Sequence, residues 1–404
     1  MLALVFVALV SCGDVETTAP EVTTAAPGTT TASDTTTAPV TTTEAEVTTT
    51  EGAVEDLGAL LDFSPLFDGS GYRVVGLGDY PNADVVIPKT YENLPVLEIG
   101  AYAFSDDDSI KSVVIPEGVT TIGESAFAAS THIRSITIPS TVTSIGAKAF
   151  MQCDSLSTIT IPGSVTDIGD EVFRSCLDLT EVIFSEGIVR IGYSAFADCI
   201  SLQAIALPKS MTEVSVNAFR GCSELTAITV AEGNPVYHAV NNCLIVKETK
   251  TLYLGCNGSE IPTDGSVTAI GDDSMWECDN LESLTIPACI TTIGSGAFFG
   301  CENLGEVIFE NGVTTIDAFA FCDCTLLAEV VLPDSLTSLG VSAFIGCSTL
   351  VSVVIPTSVS EVGESAFSAC PAVTIKCEAE SMPAGWSADF NPDERPVIWG
   401  YEAE

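Results

Sequence analysis

Fifteen cysteines and a large excess of carboxylates are the side chains of this chain that could carry chemistry. Histidine, the side chain best suited to proton transfer near neutral pH, occurs only at His132 and His238. Neither has a nucleophile at a spacing that would build a catalytic pair, so histidine-based catalysis is not expected. Asp106, Asp107 and Asp108, and the pair Asp272 and Asp273, lack the spaced oxygen ligands of a calcium loop and read as solvated turns. Cys322 and Cys324 form a lone C-x-C, and alternation in an extended segment would send the two sulfurs to opposite faces. No catalytic, cofactor-binding or metal-binding residue is assigned, and no enzyme is expected.

Nine of the cysteines are not scattered. Cys153, Cys176, Cys199 and Cys222, then Cys278, Cys301, Cys324, Cys347 and Cys370, recur with a period of 23 within each run. Stacked coils lie about 5 Å apart, so these nine form a column. Each sulfur would face two equivalent neighbours, and Ser130 and Asp107 fill the same slot earlier in the chain. The column therefore reads as small buried packing groups, with disulfides between neighbours and metal binding as the alternatives. Cys243 and Cys256 flank an irregular unit and could pair across it.

The elements that position this column follow from the same period. Phenylalanines stand at 104, 127, 150, 173, 196 and 219, then at 298, 321, 344 and 367, and Met275 fills the slot before Phe298. One unit reads L-x-x-I-x-I-P-x-x-V-x-x-I-G-x-x-A-F-x-x-C. In Leu156 to Pro162, Ile159 and Ile161 alternate with Thr158 and Thr160, the pattern of a half-buried strand, and Pro162 ends it. Val165 and Ile168 give a second apolar contact, Gly169 permits a bend, and the Ala-Phe pair fills the interior. Such a unit is too small to fold alone, so neighbours must stack. The expected fold is a β-rich right-handed solenoid of about 12 coils. One parallel sheet of short strands should form one side, with turns and short helical segments on the others.

The pattern resembles the BspA-like bacterial leucine-rich-repeat surface proteins, from about Asp84 to the C-terminus. Val86 to Val96 inserts five residues and is similar to that family's N-terminal unit. The segment at about 231–262, with strands expected at Leu244 to Val246 and Thr251 to Leu254, is similar to its hairpin-bearing unit. Trp386, Asn391-Pro392 and Trp399-Gly400-Tyr401 resemble its C-terminal cap. The expected organisation is a cap unit over 53–99, repeats over 100–370 and a closing cap over 371–404. The resemblance implies surface display and adhesion to host proteins, matrix proteins or neighbouring cells, with no catalytic residues and no cofactor.

The N-terminus reads as an address. Met1 to Val10 is an apolar run too short to span a bilayer, and Leu9-Val10-Ser11-Cys12 resembles the lipobox of bacterial lipoproteins. That resemblance implies a signal over residues 1–12 and lipidation at Cys12. No Lys or Arg precedes Cys12, the first being Arg73, so the true start is expected to lie upstream of Met1. Residues 13–52 form a Thr- and Pro-rich linker with 16 threonines between 15 and 50. It cannot bury enough apolar surface to fold. It is expected to act as a tether reaching about 35 Å.

Charge narrows the partners. With 13 Lys and Arg against 55 Asp and Glu, the net charge of −42 disfavours nucleic acid and anionic lipid. The membrane is expected to be met only through the lipid anchor, and the protein to be monomeric and extracellular. The candidate binding face is the outward strand position, Thr137, Thr160, Ile183, Thr229, Thr285, Ile308 and Val331. This long shallow strip suits an extended extracellular protein ligand better than a small molecule. A structural envelope spacer and a glycan-binding surface lipoprotein are the alternatives.

Overall fold

The computed structural model describes residues 59–215 and 217–402, a β-solenoid of about 14 turns, against the 12 coils expected. Cys12, the apolar run before it and the Thr-rich linker lie outside the described residues. Strand Thr158–Ile161 alternates exposed and buried positions, and Glu181–Phe184 continues it in parallel with Thr160 opposite Ile183. The sequence period is thus the ladder register itself.

A single sheet was expected, but each regular coil contributes two strands. The second is only two residues long. Asp167–Ile168 pairs in parallel with Arg190–Ile191, which pairs with Glu213–Val214. The Val-x-x-Ile segment therefore builds a second ladder on another side of the coil.

No helix occurs among the described residues, so the short helical segments expected on the sides away from the main sheet are absent. The backbone explains why. Ser125, Ala129, Lys148 and Gln152 have φ of 51°, 59°, 60° and 59°, so left-handed residues stand two positions before and two after Phe127 and Phe150. A right-handed helix cannot propagate through such residues. Their amides also point elsewhere. Ser125, Phe127 and Ala129 N–H donate to the carbonyls of Ala147, Ala149 and Met151 in the next coil, at 2.8–3.0 Å. This third side is a stack of tight turns bonded from coil to coil.

Inside the coils, Phe104 to Phe219 stack face to face at 5.1–5.4 Å between centroids, and Phe298 to Phe367 at 5.1–5.9 Å. Each buried ring covers the next, which is how a unit too small to fold alone acquires a core. Close approach of the coils explains the Ile-Gly pairs at Gly123, Gly146, Gly192 and Gly294, but not the one at Gly169. A Cβ on Gly146 would lie 2.4 Å from Glu124 N and 2.7 Å from Gly123 C in the coil before.

The solenoid is interrupted once. Tyr237–Val240, Cys243–Val246 and Thr251–Leu254 form an antiparallel three-stranded unit, one strand more than the hairpin expected. The hydrophobic core divides into two clusters there. Val214 would lose its ladder neighbour, and two tyrosines supply the missing bonds: Val214 N–H donates to Tyr237 Oη at 3.3 Å, and Tyr253 O–H donates to Val214 O at 2.5 Å. Arg220 spans the interruption, with its guanidinium 4.3 Å above the Trp276 ring and 3.4 Å from Glu277. Thr251–Leu254 then pairs in parallel with Ala269–Ile270 and restarts the second ladder.

Both ends are covered. Asp62–Pro65 pairs antiparallel with Tyr72–Gly76, which lies parallel to Leu94–Ile99. At the other end Trp386 is buried, and its indole N–H donates to Val359 O at 3.0 Å.

Candidate functional site

The exposed face of the first ladder presents one residue per coil between two buried or half-buried ones. Thr137, Thr160, Ile183, Thr229, Thr285, Ile308 and Val331 all stand outward and exposed. Register aligns neighbouring coils, with Ala206 opposite Thr229, Thr285 opposite Ile308 and Val331 opposite Val354. Exposure of 48% at Ile183, 50% at Ile308 and 63% at Val331 is high for aliphatic side chains, and packing does not explain their identity. The first ladder itself runs in three segments, the last two separated by the three-stranded unit between Thr229 and Thr285. The face is therefore two strips rather than one long one.

The second strip contains a groove that sequence reasoning missed. It has a volume of about 660 Å³ and is lined by Ile308, Phe309, Val331 and Leu332, with Glu306 and Glu329 beside them. It opens because two coils part. Ser283–Ile286 pairs with Glu306–Phe309 through four residues, whereas Glu306–Phe309 meets Glu329–Val331 at the single pair Glu306 and Glu329. Pro333 occupies the slot that Glu310 fills one coil earlier, and Glu310 N–H donates to Ile286 O at 2.9 Å. Proline has no such donor, and Leu332 N–H turns to Val354 O in the following coil. The available signal was Glu-Val-Ile-Phe in one coil with Pro in the slot after the strand in the next. It recurs at Glu181 to Phe184 with Pro208, where the pairing is again reduced to one residue pair, Glu181 and Ala204.

The cysteine column lies on the inner side. All nine members are buried. Cys153, Cys176, Cys199, Cys222, Cys324, Cys347 and Cys370 each donate a thiol hydrogen bond, 3.0–3.3 Å long, to the carbonyl of the Phe 26 residues earlier. Cys301 does the same to Met275 O at 3.2 Å. Cys278 is the first member after the three-stranded unit and has no such bond. Ser130 uses its hydroxyl in the same way toward Phe104 O. Burial pushes the thiols of Cys153, Cys176 and Cys278 up and that of Cys301 up to about 12, so they stay protonated and are poor nucleophiles. Cys243 and Cys256 are unpaired, with Cys243 donating to Glu260 O at 3.4 Å and Cys256 to Asn242 O at 3.8 Å.

Asp107, Asp108 and Asp272 have nearby partners. Asp108 accepts from Thr131 at 2.7 Å and lies 3.4 Å from His132. Asp107 accepts from Ser109, and Asp272 from Ser295 N–H at 2.8 Å. These carboxylates hold turns. His238 stands away from His132 in the three-stranded unit, and desolvation lowers its pKa. Among the described residues no three of His, Cys, Asp and Glu converge as a metal-ligand set. What the outward face of the first ladder offers is contact surface.

Comparison with known proteins agrees with this geometry. A family model described as the BspA type leucine rich repeat region matches residues 97–226 and 249–379 in 6 copies. No curated protein matches the chain. The crystal structure of a leucine rich cell surface protein from Faecalibacterium prausnitzii is 27% identical with a TM-score of 0.60, covering 85% of this chain and 97% of that one. The pneumococcal vaccine antigen PcpA is 20% identical with a TM-score of 0.67, covering 85% of this chain and 100% of that one. A leucine-rich repeat protein from Eubacterium ventriosum is 22% identical with a TM-score of 0.56, covering 87% and 95%.

Proposed function

Because this chain belongs to the BspA-type leucine-rich-repeat family, we propose that it is a surface-displayed scaffold that binds an extended protein ligand along the first-ladder face. The observation that carries the reading is the row of outward strand residues, which includes aliphatic side chains at least half open to solvent at Ile308 and Val331. A shallow in-register surface of this kind suits a long partner, since contact is spread over many coils. Surface placement is supported by the F. prausnitzii relative, described as a cell surface protein, and by the tether-like composition of residues 13–52. Lipidation at Cys12 would supply the anchor, and no described helix is long and apolar enough to cross a membrane.

The test is binding of the full chain to a defined panel of matrix proteins, mucins and envelope proteins. Thr160→Lys with Thr285→Lys on the first ladder is compared with Thr292→Lys with Thr315→Lys on the second. Loss of a ligand only with the first pair, at unchanged melting temperature, is expected. Loss only with the second pair would move the binding face to the other ladder.

A further inference from the structure

Charge is distributed unevenly along the solenoid. Between Lys250 and Lys376 the chain has 16 Asp and Glu and no Lys, Arg or His, and all 13 basic residues lie at or beyond those two boundaries. The groove between Glu306–Phe309 and Glu329–Val331 opens within this cation-free stretch. Its apolar part is Ile308 and Val331 above Phe309 and Leu332, and the paired Glu306 and Glu329 stand two residues before the exposed aliphatics in their own strands. In an extended chain, residues two apart share a face about 7 Å apart. The charge and the apolar contact are therefore offered at strand spacing.

Resting on the reading of this face as the binding surface, we infer that the groove seats an apolar side chain of an extended, cationic segment of the protein partner. Lys or Arg flanking that side chain meet Glu306 and Glu329. The one basic side chain among the strands of the second strip, Lys376, stands two strands beyond Val331 and over the Tyr401 ring, and the surrounding negative field steers a cationic segment toward Glu306 and Glu329. The coils that meet only at Glu306 and Glu329 leave room for a branched aliphatic group beside Ile308 and Val331. An acidic or purely polar segment would lack one half of this match.

The full chain is titrated with fluorescent heptapeptides of alternating lysine–valine, lysine–serine and glutamate–valine sequence, followed by anisotropy at low and moderate salt. Lysine–valine binding is expected to be at least about tenfold tighter than either other peptide. Ile308→Ser with Val331→Ser should remove that advantage without changing lysine–serine binding. Glu306→Gln with Glu329→Gln should weaken both lysine peptides and flatten their salt dependence. These side chains are exposed, and an unchanged melting temperature confirms folding. Ile183→Ser, in the first strip, should have no effect. Equal binding of lysine–valine and lysine–serine, or indifference to the groove variants, overturns the inference. Sensitivity to Ile183→Ser alone also overturns it, while leaving the wider face as the binding surface.

Discussion

Replacing Gly146 and Gly169 by alanine, one at a time, should change stability in opposite directions. The two glycines occupy the same slot of successive coils, directly after Ile145 and Ile168. At Gly146 the new methyl would sit 2.4 Å from Glu124 N and 2.7 Å from Glu124 Cα, where ordinary contact needs about a further ångström. The neighbouring coil cannot simply retreat, because Gly146 N–H donates to Ile122 O at 2.8 Å and Ile145 is in register with Ile122. Overpacking costs about 1–3 kcal/mol, and a weakened backbone bond adds up to about 1. The lower entropy of an unfolded alanine returns about 0.4–1. The net expectation for Gly146→Ala is a loss of about 2 kcal/mol. At Gly169 the nearest atom is Val172 Cγ2 at 3.7 Å, an ordinary contact, so the entropy gain should dominate at about 0.5 kcal/mol. Ser215 and Asp317 fill this slot in other coils, so a side chain is not excluded in principle. Urea unfolding followed by far-ultraviolet circular dichroism reads both variants. Equal shifts in the same direction would refute the argument that coil approach, rather than a bend, selects glycine at 146.

Further outcomes follow from the structure and, for Cys12, from the sequence. Cys199→Ser should cost less than Cys199→Ala, about 1 against about 2 kcal/mol, because a hydroxyl can keep the bond to Phe173 O as Ser130 does toward Phe104 O. Thiol titration of unreduced protein should then find the column silent when folded and mostly free when unfolded; fewer than three free thiols would overturn the packing account. Acidification from pH 6 toward 4 should raise the melting temperature. Burial first, and neighbouring carboxylates second, raise Asp154, Asp273 and Asp279, so the folded state binds protons more readily and stability is lost as pH rises through their range; a fall in melting temperature on acidification would contradict this. Lys148→Gly should stabilise by about 0.5–1 kcal/mol, since Lys148 has a φ of 60° and its pair with the half-buried Glu171 is long, at 3.5 Å; calorimetry showing a loss would refute it. Cys12→Ser should shift the protein from the membrane fraction or block its processing, and unchanged fractionation would remove the anchor from the proposal.

Much of this molecule was legible in its residues alone. A period of 23 running through Phe127, Ile145, Ile159 and Cys176 demands that each position stack on its own copy, and translation by one coil then dictates a parallel ladder and a continuous core. The alternation in Thr158 to Ile161 likewise dictates which side chains face water. What tertiary structure decided lies wherever a coil's geometry depends on its neighbour. The backbone amides of Ser125, Phe127 and Ala129 bond forward to the next coil, and that competition, invisible within one unit, replaced the expected helical turns. The two-residue second strands are too short to show alternation and exist only through Ile168 meeting Ile191. The strand Tyr237–Val240 gains its place by covering an interrupted ladder edge. The groove arises because Pro333, innocuous at the end of its own strand, fails to donate to the strand of the preceding coil. Repetition prescribes the stack, but contacts between unlike coils decide where it opens.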